Sequence, residues 1–343
     1  MGYRVAVVGA TEAVGREVIK TLAERAFPVD GMVALASGRL LGTELSFGDK
    51  IVLKAQSLEK HDFATTDLAM FCASPAVAAQ HAPRAAAAGC MVVELSGQFH
   101  LEFDVPLVVP EVNPQVLARA AKRRMVATPS AAVVQLALAL KPLHDLARVQ
   151  RVVVSTYQAV SGAGKAAMDE LWSQTRGLFV NELGASEQFT KQMAFNVIPH
   201  VGGFMDDGAT TEEWKLAVET RKVLDPNVQV VATCVRVPVF IGHGMAVTVA
   251  FESAIAEEQA QRALHDFPGV IVLDKRDDGG YVTPIETVGE DAVYVSRIRR
   301  DPTVPHGLSF WCSADNLRKG TALNAVQVAE LLHERGMLGK PAR

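Results

Sequence analysis

Gly9-Ala10-Thr11-Glu12-Ala13-Val14-Gly15 follows the apolar run Val5-Ala6-Val7-Val8 and opens an amphipathic segment. A glycine-rich loop between a strand and a helix is the setting of a dinucleotide fingerprint. The glycines let the backbone approach a pyrophosphate, and the helix N-terminus offers the anion amides and a favourable dipole. The usual spacing puts a third glycine at position 12, where this chain has Glu12. At ~4 Å and an effective dielectric of ~20, a carboxylate opposes a phosphate by a bare term of about 4 kcal/mol, less once the side chain swings into water. The plain alternative is a strand-to-helix turn with Glu12 in solvent. Glu212 and Lys215, three apart, fall on one face of a helical pattern; a solvated ion pair would have the same spacing. Cys72, Cys90, Cys234 and Cys312 lie far apart, with no Cys-x-x-Cys pair. That spacing argues against a metal site or a disulfide scaffold and fits a reduced cytoplasm.

These groups need a scaffold, and 343 residues suggest about two domains. Hydrophobic residues make up 49% and charged residues 21%, a globular profile with large cores. The net charge of −4 gives no reason to expect nucleic-acid binding. No apolar stretch reaches the roughly 18 residues of a membrane span, and no basic segment with a cleavage site precedes the first strand. That strand, Tyr3 to Val8, is followed by a helix from Val14 to Arg25 and by strand-like runs Val33 to Ser37, Leu68 to Ala73 and Met91 to Leu95. Pro75 to Ala88 reads as a helix that Pro83 should interrupt or kink. Alternation of this kind implies a parallel sheet with helices on both faces, binding ligands at the carboxyl ends of its strands.

The texture changes after about residue 130. A helix, Gln135 to Leu146, leads into longer strands, Val149 to Gln158, Val228 to Val239 and Met245 to Phe251. Their β-branched residues and partial alternation suggest a mixed or antiparallel sheet with one covered face. Helices are expected at Ala163 to Phe179, Thr211 to Leu224, Ala256 to Phe267 and Lys319 to Glu334.

Three stretches resemble aspartate-semialdehyde dehydrogenases: Val154 to Gly164 (VSTYQAVSGAG), Ala232 to His243 (ATCVRVPVFIGH) and Asp315 to Gln327 (DNLRKGTALNAVQ). Weaker matches are Val105 to Asn113 and Leu35 to Arg39, and the resemblance runs from residue 4 to about 335. It implies a Rossmann-like NAD(P)-binding domain, residues 1–130 with 315–343, and an α+β catalytic-like and dimerisation domain, residues 131–314. Family members convert aspartyl phosphate to aspartate semialdehyde with NADPH, through a cysteine thiolate, an acyl-enzyme and a histidine acid/base.

Residue by residue, the resemblance makes Arg236 the clamp on the substrate carboxylate, a task suited to a planar fork. It makes His243 the acid/base and Gln158 the glutamine that holds the substrate. Glu212 and Lys215 become amino-group and phosphate contacts. Gly9, Thr11, Glu12, Ala13, Val14, Gly15 and Ser37 line the cofactor, with Arg39 on the 2′-phosphate of NADP, Ser161 and Gly162 as further cofactor contacts and Asn316 near the nicotinamide. Several positions depart from the pattern. The family nucleophile lies in Asn-x-Asn-Cys-Ser/Thr, and the matching run here is Thr128-Pro129-Ser130-Ala131-Ala132. Ala131 therefore replaces the cysteine. His100 replaces the phosphate arginine, Leu40 a serine near the cofactor phosphate, and Ser74 a frequent glycine. Ser130, Cys72 and Cys234 are weak alternatives as nucleophile.

The leading expectation is a cytoplasmic homodimer that cannot run the family reaction, binds NADP weakly because of Glu12 and Leu40, and holds a small amino-dicarboxylate-like ligand. Two others stay open: an active oxidoreductase with a non-covalent mechanism on another substrate, and a ligand-sensing or subunit-pairing protein.

Overall fold

The computed structural model describes residues 2–182 and 184–339. The chain divides into two compact units, one ending at Ser130 and resuming at Thr321, the other comprising Ala131–Gly320. The resemblance placed the return at residue 315; Met1 and residues 340–343 lie outside the described residues.

In the first unit the strands are β1 (Tyr3–Val8), β2 (Val29–Ala36), β3 (Glu44–Phe47), β4 (Ile51–Lys54), β5 (Gln56–Ser57), β6 (Leu68–Phe71), β7 (Met91–Glu94) and β8 (Met125–Ala127). Six of them form a sheet in the order β5-β2-β1-β6-β7-β8, parallel throughout. Every residue of β6, β7 and β8 is buried, as expected of parallel strands covered on both faces. Strand β1 has β2 on one side and β6 on the other, so the chain reverses its winding there. The loop after β1 opens onto that switch point, where open α/β sheets take their ligands.

Helix α1 (Ala13–Glu24) buries Val18, Ile19 and Leu22, each such side chain contributing roughly 1.5–3 kcal/mol. Helix α2 (Pro75–Ala87) runs through Pro83 without the interruption that was one of the two expected outcomes. Proline costs one hydrogen bond and crowds the turn before it, but the buried alanines Ala78, Ala82 and Ala85 keep the helix against the sheet. A short helix, α3 (Ala120–Arg123), precedes β8. The C-terminal helix Asn324–Glu334 lies in the same core, with Ala325, Val326 and Leu332 among Val5, Val18 and Leu22. The turn before it, Arg318–Leu323, is π-helical.

The second unit opens with helix α4 (Ala131–Ala147) and strand β9 (Val149–Gln158). Helices α5 (Lys165–Phe179) and α6 (Thr211–Val223) follow, then β10 (Gln229–Arg236) and β11 (His243–Phe251). Helix α7 (Glu257–His265) leads to β12 (Val270–Val272), β13 (Val293–Asp301) and β14 (Gly307–Ala314). The sheet order is β10-β9-β11-β14-β13-β12. The β9–β10 and β12–β13 pairs are parallel and the others antiparallel. Helices α4, α6 and α7 pack on this sheet. Buried and half-exposed residues alternate at the end of β9 and along β11, so one face is covered while Tyr157 and Trp311 stand on the other, their ring centroids 5.5 Å apart. Among the described residues no helix is long and apolar enough to cross a membrane.

Candidate functional site

The glycine loop of the first unit is built from close backbone approaches. Gly9 has φ +76°, and a Cβ there would lie 2.9 Å from the Ala73 nitrogen. A Cβ on Gly15 would lie 2.2 Å from the Gly9 carbonyl oxygen. Both positions therefore require glycine. Thr11 Oγ1 is buried without a hydrogen-bond partner among the described residues. Ala13 and Val14 form the first turn of α1. Glu12 occupies the N-cap position with an exposed side chain that makes no cap bond. It points to water, so the bare repulsion is strongly discounted. Ser37 precedes a 3-10 turn over Gly38–Leu40, and Ser37, Arg39 and Leu40 are all exposed. This cradle of glycine backbone, buried hydroxyl and helix N-terminus fits a dinucleotide phosphate.

Also in the first unit, His100 is buried with its Nε2 3.8 Å from Glu94 Oε2. The Glu94 carboxylate accepts hydrogen bonds from the backbone nitrogens of Ser96 (2.5 Å) and Phe99 (3.5 Å). His100 is thus packed beside an internal carboxylate.

The second unit gathers most of the remaining residues. Strands β9 and β10 run in parallel with Gln158 opposite Arg236, which brings the two strand ends together. Gln158 Nε2 donates to Glu212 Oε1 at 3.1 Å, linking β9 to the first turn of α6. Arg236 Nη1 donates to the Ala159 carbonyl at 2.7 Å. The Ala159 N–H in turn donates to His243 Nδ1 at 3.2 Å. The backbone of one residue therefore holds both the guanidinium and the imidazole. Burial lowers the Arg236 pKa, with Glu212 opposing; the group stays charged. Burial, reinforced by Arg236, pushes His243 down to about 3, with the Gly242 carbonyl opposing. The imidazole is neutral at physiological pH.

Gly162 faces both groups: a Cβ there would lie 3.0 Å from Arg236 Nη1 and 3.7 Å from His243 Nε2. Asn316 Nδ2 donates to Ser161 Oγ at 2.9 Å, and Asn316 Oδ1 accepts from the Gly242 nitrogen at 2.9 Å, fixing the loop ahead of His243. Lys215 is half-buried on α6, as Glu212 is, and forms no hydrogen bond or ion pair among the described residues.

Ala131 is the first residue of α4, the position where a dipole would favour a thiolate. Four residues on, Gln135 Nε2 donates to the His243 carbonyl at 3.3 Å. A Cβ on Gly320 would lie 2.7 Å from Ala131 Cβ. No native thiol compensates. All four cysteines are buried. Burial raises the Cys72 pKa and pushes Cys234 and Cys312 up to about 12, so these sulfurs stay protonated and inert.

Sequence reasoning overlooked Glu213, whose Oε2 accepts from the Thr210 nitrogen at 2.7 Å and whose Oε1 accepts from the Cys234 nitrogen at 2.9 Å. It caps α6 and ties it to β10, setting Glu212 beside Gln158. Thr210-x-x-Glu213 is a capping-box signature and was there to be read. Ala159 was also overlooked, and nothing could have flagged it, because its contribution is a backbone amide. Among the described residues no cluster of three or more histidine, cysteine or carboxylate groups could hold a metal.

Comparison with known proteins matches residues 4–120 to the semialdehyde dehydrogenase NAD binding domain and residues 140–319 to the semialdehyde dehydrogenase dimerisation domain. An aspartate-semialdehyde dehydrogenase of Aquifex aeolicus is 46% identical over 341 residues, 98% of this chain and 100% of that one. That of Rickettsia conorii is 45% identical over 330 residues, 96% and 97% of the two chains. The chain belongs to the aspartate-semialdehyde dehydrogenase family. Its fold agrees with that of aspartate semialdehyde dehydrogenase II from Vibrio cholerae, complexed with ASA, at a TM-score of 0.95 and 42% identity, covering 97% of this chain and 99% of that one. A probable aspartate-semialdehyde dehydrogenase from Pseudomonas aeruginosa gives 0.93 at 31% identity, covering 98% and 100%. The family fold of a Rossmann-like NAD-binding domain plus an α+β dimerisation domain is thus the fold of this chain.

Proposed function

We propose that this chain keeps the family's ligand pocket without its thiol chemistry. It is a homodimeric relative of aspartate-semialdehyde dehydrogenase that binds a small amino-dicarboxylate-like molecule and forms no thioester. The observation that carries this reading is Ala131 at the head of α4. A methyl group cannot attack a carbonyl, and loss of the nucleophile in a serine protease costs roughly a million-fold in turnover. The four buried cysteines leave no substitute.

The pocket is suited to a dipolar ligand. Arg236 offers a fork to a carboxylate, Glu212 a charge for an ammonium, and Gln158 an amide that holds Glu212 in place. His100 takes the phosphate arginine's position without its bidentate reach. In the first unit NADP would be held by Gly9, Thr11, Ala13, Val14, Gly15, Ser37 and Arg39; the family resemblance names Ser161, Gly162 and Asn316 as further cofactor contacts. Its nicotinamide supplies hydride chemistry when bound. Glu12 and Leu40 weaken this binding. Dimerisation would cover the half-exposed sheet face bearing Tyr157 and Trp311, which resembles an interface more than a solvated surface. Widely spaced free thiols suit a reducing compartment such as the cytoplasm. Such a protein would serve as a ligand sensor or as a subunit beside an active relative.

The test is NADPH formation from aspartate semialdehyde and phosphate, by wild type and by Ala131→Cys. We expect no wild-type rate above background and a measurable rate for the variant. Robust wild-type turnover would overturn the proposal.

A further inference from the structure

At one edge of the first unit's sheet, two strand ends bring a carboxylate beside the cofactor cradle. Strands β2 and β5 run in parallel with Ala36 opposite Ser57, and the Leu58 N–H donates to the Ala36 carbonyl at 3.1 Å. Ser37 and Glu59 therefore emerge from adjacent strand ends. Ser57 Oγ donates to Glu59 Oε2 at 2.8 Å. The Glu59 carboxyl is held below its usual pKa by its own backbone N–H, then by the Ser57 and Ser37 hydroxyls, which both donate to it. It is exposed and ionised at neutral pH. Arg84 of α2 pins the turn that carries it. Arg84 Nη2 donates to the Leu58 carbonyl at 2.8 Å and Nη1 to that of Glu59 at 3.3 Å.

In sheets of this kind the adenosine ribose lies near the end of the second strand, about twenty residues past the glycine loop. An acid there accepts the 2′-hydroxyl of NAD, or an arginine receives the 2′-phosphate of NADP. This chain has Ser37 at that strand end and Arg39 in the turn that follows, with Glu59 supplied from β5. Arg39 is exposed, so water and salt screen its pull on a phosphate. Leu40 offers no second polar contact. A serine has one O–H to donate, and that of Ser37 is given to Glu59, so it has none left for a phosphate oxygen.

We propose that Glu59, oriented by Ser57 and Ser37, reads the adenosine ribose of the dinucleotide, accepting a 2′-hydroxyl and repelling a 2′-phosphate, so that this chain takes NAD in preference to NADP. The inference rests on the glycine loop being a dinucleotide site and deepens that reading; the loss of the thiol at position 131 does not enter it. NADP still binds through Arg39 at higher concentration, so rates measured with saturating NADP keep their meaning.

The deciding measurement is calorimetric titration of the intact chain with NAD and with NADP, for wild type, Glu59→Gln and Ser37→Ala. We expect wild type to bind NAD about tenfold or more tighter than NADP. Glu59→Gln keeps the shape and removes the charge. It should weaken NAD and strengthen NADP, closing the gap about tenfold, and the gain for NADP should shrink in high salt. A purely structural role for Glu59 would move both affinities together; an unchanged ratio would overturn the proposal. Ser37→Ala loosens the carboxylate, so NAD should weaken about threefold while NADP holds. A larger loss for NADP than for NAD would mean that the Ser37 hydroxyl serves a phosphate, which the proposal forbids. Wild-type NADP binding as tight as that of NAD refutes the role of Glu59 alone. Binding of neither dinucleotide refutes the cofactor reading together with it.

Discussion

The retained and the replaced positions of the site differ in how they are held. Gln158, Arg236, His243, Ser161 and Asn316 each have a partner inside the protein. Glu12, Leu40 and Ala131 have none: Glu12 and Leu40 face solvent, and Ala131 is a half-buried methyl. His100 stands between the two classes, buried beside Glu94. Residues that the fold itself needs would persist even without a ligand, because removing one leaves a buried group unsatisfied at roughly 1–3 kcal/mol. Residues whose natural partner is the ligand or cofactor carry no such cost. The presence of Arg236 and Gln158 is therefore doubly determined, and variants must separate the two causes.

The sharpest break is Ala131→Cys. It restores a group with no structural duty, so stability should hardly change while NADPH formation rises from background by roughly a hundredfold or more, a fraction of what a nucleophile is worth. Adding His100→Arg should raise the rate about tenfold again, since an arginine fork binds phosphate better than an imidazole.

The next largest effect is on acid stability. His243 titrates near 3 in the folded chain and near 6.5 when unfolded. Between those values the unfolded chain binds a proton that the native state does not, so stability falls as pH falls, by up to about 4–5 kcal/mol in all. Urea unfolding at pH 7 and pH 4 should show a smaller acid loss for His243→Gln than for wild type; identical losses would remove His243 as the cause.

Glu213→Ala should cost about 2–3 kcal/mol, because the Thr210 and Cys234 amides both lose their acceptor. A melting temperature within a degree of wild type would show that this clamp is dispensable. Arg236→Lys is subtler. A lysine keeps a donor for the Ala159 carbonyl but not the fork, so the melting temperature should hold while L-aspartate affinity drops about tenfold. Parallel losses of both would mean that the arginine's duty is structural alone. The smallest change is expected from Glu12→Gly: the carboxylate is exposed, so NADP affinity should rise only a few-fold, and the gain should shrink in high salt. A gain indifferent to salt would point instead to backbone freedom.

Where apolar burial is continuous, as over Val5 to Val8 of β1 and throughout β6 and β7, or the pattern long, as in β9, the strands were legible in the sequence. Strands β13 and β14 were not. In β13 the register shifts between Ser296 and Arg299, with Arg297 at φ +58°, and this bulge with its arginines masks the alternation. The hairpin β3–β4 hid among charged residues for similar reasons. Helix α2 misled in the opposite direction, because packing of its alanines outweighs the local penalty of Pro83. In the site, residue identities were legible through family blocks, but the arrangement was not. What organises Arg236 and His243 is the backbone of Ala159, its carbonyl for one and its N–H for the other, and a backbone group leaves no mark in residue type.

The burial of all four cysteines has a practical consequence. A chain whose native sulfurs are all buried is a quiet background for labelling. A single cysteine placed at 131 could carry a fluorophore or a nitroxide with little competing modification. Such a reporter at the head of α4, one turn before the Gln135 amide that bonds the His243 carbonyl, would sense ligand binding without turnover, so candidate ligands could be screened by a change in emission or spin mobility.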